Sequence, residues 1–193
     1  GGTAVSTQEI TEGRKAVEPM DPTRTGYEFL GWYSDAAFAT PYDFDSVVTA
    51  ERTVYAKWIQ LHQVTFDVDG GSATPAQEIR NGEKAILPLD PTKTGYVFAG
   101  WFGDAEYDFS SNITKNTTIY AKWDKLHTIS FDSKGGSQAF ENQEIRNGLL
   151  VTRPGEMTKD GYVLAGWFDG SYKYDFNQAV TEDLNLVAVW GRA

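Results

Sequence analysis

Alternation of apolar and polar side chains is the clearest signal along this chain. Residues 64–68 (Val-Thr-Phe-Asp-Val) alternate with the period of two that is typical of a half-buried strand. Residues 96–102 are apolar on both faces, which predicts a central strand, and Gly100 within them predicts a β-bulge. Residues 118–123 alternate again and predict a third strand. No stretch has helical periodicity over more than a turn or two, so the pattern predicts a mostly β fold.

Turn signals separate these strands. Asn81-Gly82 lies between two short stretches, residues 77–79 and 83–86, and predicts a hairpin that pairs them. Residues 90–95 (Asp-Pro-Thr-Lys-Thr-Gly) predict a second turn. Residues 110–114 predict a single helical turn. The expected fold class is therefore mostly β, of the α+β type.

The same motifs occur three times, so the chain is predicted to contain three domains. Gly-Trp-aromatic occurs at Gly31, Gly100 and Gly166, Asp-Phe occurs at Asp43, Asp108 and Asp175, and a second tryptophan follows at Trp58, Trp123 and Trp190. The interval from the Asp-Phe phenylalanine to this tryptophan is 14 residues in every copy. We number the repeats 1 (residues 1–58), 2 (59–123) and 3 (124–193).

Aromatic side chains are predicted to form the core of each repeat, because large rings suit domains of this small size. The predicted core of repeat 2 consists of Phe66, Phe98, Trp101, Phe109, Ile119 and Trp123. Stacking on a sugar ring is the alternative role for an exposed tryptophan, but core positions are favoured for Trp101 and Trp123. Partial exposure is predicted instead for the residues after each Gly-Trp, namely Tyr33, Phe102 and Phe168.

Repeat 1 is predicted to lack its first strand. Three Gly-Gly-to-tryptophan units are present, but only residues 64–68 and 128–132 provide a strand of the Val-Thr-Phe-Asp type. Three outcomes are open: strand exchange with a neighbouring chain at repeat 1, an open slot that makes repeat 1 the least stable, or a rearranged N-terminus that covers it. We expect the chain to be an N-terminally truncated piece of a longer array.

The joins between repeats are short and contain neither glycine nor proline, so they are not flexible linkers. Leu61 and Leu126 stand at the same offset and are expected to pack between neighbouring repeats. His62 and His127 lie in the two joins and are expected to be solvated. These features predict an elongated array with restricted bending.

Four motifs in a fixed order carry a resemblance to a known family. They are residues 64–72 (VTFDVDGGS), 90–102 (DPTKTGYVFAGWF), 107–109 (YDF) and 118–123 (TIYAKW). The combination resembles the Listeria–Bacteroides repeat, a family that includes the B repeat of internalin-type bacterial surface proteins. The resemblance implies small β-grasp-like repeats, an extracellular location on a bacterial surface or as a secreted protein, and a role as spacer or interaction module. Repeat 3 departs from the motif at residues 154–157 and 187–190.

Composition excludes several classes of function. The chain has no cysteine, which removes thiol nucleophiles and cysteine metal sites, and it has only two histidines. Its net charge of −10 argues against a nucleic-acid partner. No apolar run is long enough to span a membrane. No cofactor is predicted.

Recurring carboxylates are the remaining candidates for a site. Asp67 and Asp69 resemble the opening of a calcium loop, but Gly71 and Ser72 occupy positions five and six of that loop, so a turn is the better interpretation. The aspartates of the three Asp-Phe motifs have no recurring partner acid or histidine, and capping of the following turn is the expected role. We therefore predict no catalytic, cofactor-binding or metal-ligating residue.

The sequence favours a non-enzymatic tandem-repeat region of a bacterial cell-surface protein that acts as a spacer or stalk and contributes to adhesion. The alternative is a repeated binding module for a glycan or a protein of the host or the environment, using one surface three times. The partner, protein or glycan, is not specified by the sequence. An enzyme is the least favoured class.

Overall fold

The computed structural model describes all 193 residues and is all-β, with nine strands and no helix. The strands are β1 (Tyr27–Tyr33), β2 (Tyr55–Asp67), β3 (Gln77–Arg80), β4 (Tyr96–Phe102), β5 (Thr117–Asp132), β6 (Gln143–Arg146), β7 (Tyr162–Asp169), β8 (Tyr172–Lys173) and β9 (Leu184–Arg192). The sheet is not closed, because its strand order runs β1-β2-β5-β9-β7-β8 with β3, β4 and β6 paired at its side. The helical turn expected at residues 110–114 is wrong: a hydrogen-bonded turn, in which Ser111 N–H donates to Asp108 O, stands there.

The chain divides into two compact units. The first consists of Gly1–Phe66, Pro75–Pro88 and Tyr107–Ile119. Within it, β1 pairs antiparallel with β2, and β3 pairs antiparallel with a later part of β2, from Leu61 to Val64. The first join between repeats therefore lies inside the continuous strand β2.

The second unit consists of Asp67–Thr74, Leu89–Glu106 and Tyr120–Ala193. In this unit β5 pairs antiparallel with β4 and with β6, and parallel with β9. Antiparallel pairing of β9 with β7, and of β7 with β8, completes the unit. The second join lies inside β5, just as the first lies inside β2.

Gly100 forms the predicted bulge, which is confirmed by a register shift between Phe98 and Gly100 and by a positive φ of 122°. The extra residue puts Phe98 and Trp101 on one face, with their ring centroids 5.2 Å apart. Counted with a strict period of two, Phe98 and Trp101 would lie on opposite faces, so residues 96–102 appear apolar on both faces. In the structure β4 nevertheless pairs with β5 alone. The prediction of a central strand is wrong for this reason.

The hairpin expected around Asn81-Gly82 is also wrong. The turn itself is present, since Glu83 N–H donates to Arg80 O at 2.9 Å and Gly82 has a φ of 88°. Residues 83–86 do not form a strand, however, and Lys84 makes only a bridge to Asn112. The strand before the turn pairs instead with β2 of the preceding join.

Burial is uneven among the repeats. Apart from Pro22, no buried apolar side chain precedes Val64, so repeat 1 contributes almost nothing to the buried core. Among the predicted core residues of repeat 2, Phe66, Trp101 and Ile119 are buried, whereas Phe98, Phe109 and Trp123 are half-buried. Repeat 3 has a continuous cluster around Ile129, Trp167 and Leu186.

Candidate functional site

The three Asp-Phe motifs form turns that their own aspartates cap, as predicted. The Asp43 carboxylate accepts hydrogen bonds from Asp45 N–H at 2.9 Å and from the Ser46 hydroxyl at 2.7 Å. Asp108 and Asp175 accept the equivalent backbone bonds, each at Oδ1. The bond from Ser46 is the largest cause of the lowered pKa of Asp43, because it favours the ionised form. These carboxylates stabilise turns.

The two carboxylates that precede the Gly-Gly turn, Asp67 and Asp69, also have hydrogen-bond or ion-pair partners nearby. Asp67 Oδ1 accepts a hydrogen bond from Asp69 N–H at 3.0 Å, and Asp69 Oδ2 lies 3.1 Å from Lys93 Nζ. Nowhere in the 193 described residues do three or more His, Cys, Asp or Glu side chains form a group that could hold a metal ion. The geometry is that of a charged turn.

The second glycine of each Gly-Gly pair lies against the tryptophan that ends the repeat. A Cβ built on Gly71 would lie 2.5 Å from Cζ2 of Trp123, so only glycine fits. The indole N–H of Trp123 donates to Val68 O at 3.1 Å. Ser72 and Thr92 lock the turn to the opposite loop, since each backbone N–H donates to the other residue, at 2.8 and 2.9 Å.

An open groove runs along this turn and carries a cation over aromatic rings. We call the groove formed by residues 70–72, 91–94, 96–98 and 123 the Trp–Lys groove; its volume is about 590 Å³. Lys93 Nζ lies 4.7 Å from the ring centroid of Tyr96 and 5.7 Å from that of Trp123. Repeat 3 repeats the arrangement with Lys159 over Tyr162 and Trp190, at 5.0 and 5.8 Å. An exposed tyrosine ring and a half-buried tryptophan ring beside a lysine form a surface that can stack on a flat ligand.

The residues that follow each Gly-Trp are half-buried, which confirms the prediction of partial exposure for Tyr33, Phe102 and Phe168. A lysine covers two of these rings: Lys57 Nζ is 4.8 Å from the centroid of Tyr33, and Lys122 Nζ is 4.9 Å from that of Phe102. In both contacts the ammonium group lies over the face of the ring, which favours a cation–π interaction.

Both histidines are buried, so the prediction that they are solvated is wrong. His62 and His127 keep 5% and 1% of their surface exposed. Strand alternation turns each ring inward, where Nε2 lies 3.0 Å from the side-chain oxygen of Asn81 or Asn147, the asparagine of the next Asn-Gly turn. The matched His-to-Asn intervals of 19 and 20 residues are the sequence signal that could have located these pairs.

An ion pair at the first join has no counterpart among the sequence predictions. Arg80 donates two hydrogen bonds to the Glu28 carboxylate, from Nε at 2.6 Å and from Nη2 at 2.5 Å. Arg80 thereby lowers the pKa of Glu28. The partners are 52 residues apart and belong to different repeats, and no local pattern connects them.

The second join has different side chains in the same positions. Val97 occupies the position of Glu28, and Arg146 lies instead 3.9 Å from Asp124. The backbone bonds are the same in both joins, since Leu61 N–H donates to Gly26 O and Leu126 N–H donates to Gly95 O, each at 2.8 Å. The leucines are half-buried.

The family of the chain follows from its match to known sequences. The model of the Listeria-Bacteroides repeat domain matches residues 1–57, 62–122 and 127–189. The chain belongs to this family. It therefore consists of three tandem repeats of the kind found in internalin-like surface proteins.

Three related proteins are named as membrane proteins or as an internalin. The chain is 34% identical over 182 residues to a protein of Evansella cellulosilytica named as a Gly-rich membrane protein, a match that covers 86% of this chain and 21% of the relative. A second membrane protein by name from that organism is 32% identical over 209 residues, with 98% and 32% covered. Internalin H of Listeria monocytogenes is 36% identical over 117 residues, with 56% and 21% covered.

The chain thus spans between a fifth and a third of the length of these relatives. Its own structure contains no helix long and apolar enough to cross a membrane.

Proposed function

We propose that the chain is a non-enzymatic spacer region of a bacterial protein that is displayed on the cell surface or secreted. In this proposal the repeats are β-grasp-like modules in an elongated array that holds other domains away from the cell and contributes to adhesion. The names of the relatives support the location, and the use of the recurring aspartates in turns supports a structural role.

The continuity of each join carries the proposal. The strand that ends one repeat continues without interruption into the strand that begins the next, in β2 and again in β5. A cross-repeat backbone bond fixes each join further: Leu61 N–H donates to Gly26 O at the first join, and Leu126 N–H donates to Gly95 O at the second, each at 2.8 Å. A hydrogen-bonded strand resists bending far better than a Gly/Ser linker does.

Small-angle scattering on the 193-residue chain tests the elongated array. A compact globule of this length has a radius of gyration of about 16 Å. We expect a clearly larger value, and a value near 16 Å would contradict the proposal.

Spin-label distance measurements test the stiffness of the first join. The chain has no cysteine, so labels can be placed cleanly at Ala36→Cys and Lys115→Cys, both exposed positions of the first unit. A narrow distance distribution is expected, which should broaden when Gly-Gly-Ser is inserted after Gln60. The matched control is the same insertion after Ala139, an exposed position of repeat 3 that is in no strand and carries no label nearby. Equal distributions with and without the join insertion would show that the join is already flexible.

The Trp–Lys groove favours a second candidate, a repeated binding module for a glycan or protein. Weak binding at a single groove would gain avidity from its repetition. Binding to glycan arrays and to immobilised surface proteins should then fall when Lys93 and Lys159 are both replaced by alanine. Lys115→Ala, at an exposed site outside the grooves, is the control. Binding that these substitutions leave unchanged would remove the groove from consideration.

A further inference from the structure

Both histidines of the chain are paired with the two asparagines that precede a glycine. Nε2 of His62 lies 3.0 Å from Oδ1 of Asn81, and Nε2 of His127 lies 3.0 Å from Oδ1 of Asn147. The two imidazole rings are 5% and 1% exposed, whereas both asparagines lie in exposed turns. In two repeats, therefore, a buried ring holds the side-chain amide of an exposed Asn-Gly turn.

The Asn-Gly dipeptide has a chemistry of its own, because glycine has no side chain to hinder ring closure and asparagine is thermolabile. The backbone nitrogen of the glycine attacks Cγ of the asparagine, so that an N–Cγ bond forms and the Cγ–Nδ2 bond breaks. The hydrogen of the glycine N–H leaves with the side-chain nitrogen as ammonia. Water then adds to either carbonyl of the succinimide ring and opens it to aspartate or isoaspartate.

Two hydrogen bonds restrain the reacting groups of Asn81-Gly82. Gly82 N–H donates to Ile113 O at 2.7 Å, so the attacking nitrogen and its hydrogen are bound. The side-chain carbonyl of Asn81 is bound to the ring of His62. These two partners lie on different elements, since His62 belongs to β2 and Ile113 follows the turn that Asp108 caps. Ring closure has to break at least one of these bonds, which slows it.

The same two restraints occur in repeat 3. Gly148 N–H donates to Val180 O at 2.7 Å, and His127 binds Asn147. Nδ1 of His127 also lies 3.3 Å from Oδ1 of Asp183, which fixes the ring from its other side. The arrangement is therefore a recurring feature of the repeats and not a single contact.

Deamidation at these positions would damage the turn. In isoaspartate the main chain runs through the side chain and gains one carbon atom. The Asn81 turn depends on its main-chain spacing, since Asn81 N–H donates to Gln60 O at 2.8 Å and Glu83 N–H donates to Arg80 O at 2.9 Å. The longer main chain would pull the turn away from β2, with which the preceding strand β3 pairs.

We propose that Asn81 and Asn147 are latent deamidation sites and that His62 and His127 keep them closed in the folded repeats. Each histidine is a positioning residue that holds the amide of its own asparagine away from the next backbone nitrogen. The protection is therefore local to one repeat. This inference is independent of the spacer role and of any ligand of the Trp–Lys groove.

Mass spectrometry of the 193-residue chain, aged at mildly alkaline pH below its unfolding temperature, tests the proposal. Deamidation is followed in proteolytic peptides, and isoaspartate is identified with isoaspartyl methyltransferase. Synthetic peptides of residues 77–86 and 143–152 give the rates of the unprotected dipeptides. We expect the folded chain to react at least about tenfold more slowly at both sites, which corresponds to an opening free energy of about 1.4 kcal/mol. Equal rates in chain and peptides would overturn the proposal.

Leucine substitutions remove each contact but keep a bulky side chain at the buried position. His62→Leu should speed the deamidation of Asn81 about three- to tenfold, the range expected for the loss of one hydrogen bond, and should leave Asn147 at the rate of the parent. His127→Leu should do the reverse, so each variant contains the control for the other. An unchanged rate at the asparagine that has lost its histidine would also overturn the proposal.

Two further measurements separate the histidine contact from general loosening of the repeat. Val64→Ala removes a side chain with no exposed surface from the same strand but leaves the contact of His62 in place, so it should speed Asn81 less than His62→Leu does. Hydrogen exchange at Gly82 N–H reports opening of the turn, and in His62→Leu it should rise less than the deamidation rate. A proportional rise, or an equal effect of Val64→Ala, would show that opening alone sets the rate, against the proposal.

Discussion

Repeats 1 and 3 have the same motifs but different interiors. In repeat 3 the rings of Phe131 and Phe140 lie 5.3 and 5.7 Å from that of Trp167, which is 2% exposed. In repeat 1 the equivalent Trp32 is half-buried and contacts Phe29 at 5.4 Å. The chief difference is the inserted first strand, which brings Ile129 and Phe131 into repeat 3. The turns are common to both repeats, so they do not by themselves produce a closed core. In repeat 3 the core is closed by the first strand of the repeat, which pairs with β6 and β9.

The largest expected effect is at the tryptophan of the Gly-Trp motif. Trp167→Ala should lower the stability of repeat 3 by about 3–5 kcal/mol, because it empties a closed core. Trp32→Ala should cost repeat 1 clearly less, since its site is already open. Hydrogen exchange of the amides of β7 and of β1 would report the two repeats separately. Equal losses would mean that repeat 1 is as well packed as repeat 3.

The start of β9, which pairs with the first strand of repeat 3, should show the same difference in stability from its counterpart in repeat 1. Leu186→Ala removes a side chain with no exposed surface and is expected to cost about 2–5 kcal/mol. Val54→Ala, at the equivalent position of repeat 1, should cost under about 1 kcal/mol, because the site is partly solvated. Chemical denaturation of each variant measures the difference. A cost at Val54 that matched the one at Leu186 would contradict an open slot.

A smaller effect is expected at the glycine beneath each closing tryptophan. A Cβ on Gly136 would lie 2.7 Å from the sulfur of Met157 and 2.8 Å from Cζ2 of Trp190, so Gly136→Ala should cost about 1–3 kcal/mol. A Cβ on Gly2 would meet a single side chain, with Cζ2 of Trp58 at 2.7 Å, and the Thr23 carbonyl at 3.1 Å, so Gly2→Ala should cost less. Thermal unfolding followed by tryptophan fluorescence would compare them. The order of the two variants is the decisive observation.

The smallest effect concerns the first join and depends on pH. Arg80 lowers the pKa of Glu28 below its ordinary value of 4.5, so the pair stabilises the folded state above pH 4.5. This contribution is lost as the pH falls through the lower pKa of the folded state. Urea midpoints of the parent should therefore drop more between pH 6 and pH 3 than those of Glu28→Gln. High salt should reduce the difference. Arg146→Gln at the second join, where Val97 replaces Glu28, is the control.

Local signals in the sequence predicted local structure well. The bulge at Gly100 and the turns capped by Asp43, Asp108 and Asp175 follow from neighbouring residues, and the structure confirms them. The three tandem repeats follow from recurring motifs, and the family match confirms them. Pairing between distant segments was not predictable in this way. The Asn81-Gly82 turn was correctly located, but its strand pairs with the preceding join, which no hairpin rule anticipates.

The two histidines show why the sequence did not predict every buried position. His62 is polar and lies in a join, two features that usually accompany exposure. Its burial depends on Asn81, which reaches it only once β3 has paired with β2. The bulge had a similar effect on β4, because one extra residue made a strand with a single partner resemble a central one.

The parallel pairing of β5 with β9 has a consequence for synthesis in the cell. Ser130 lies 55 residues before its partner Asn185, so the ribosome completes the first strand of repeat 3 long before the strand that pairs with it. At about 5–20 residues per second, this delay lasts roughly 3–11 seconds. During that time β5 can already pair with β4 and thereby complete the preceding repeat. During synthesis, the first strand of repeat 3 is therefore held by the already folded preceding repeat, and its other edge stays unpaired until β9 has been made.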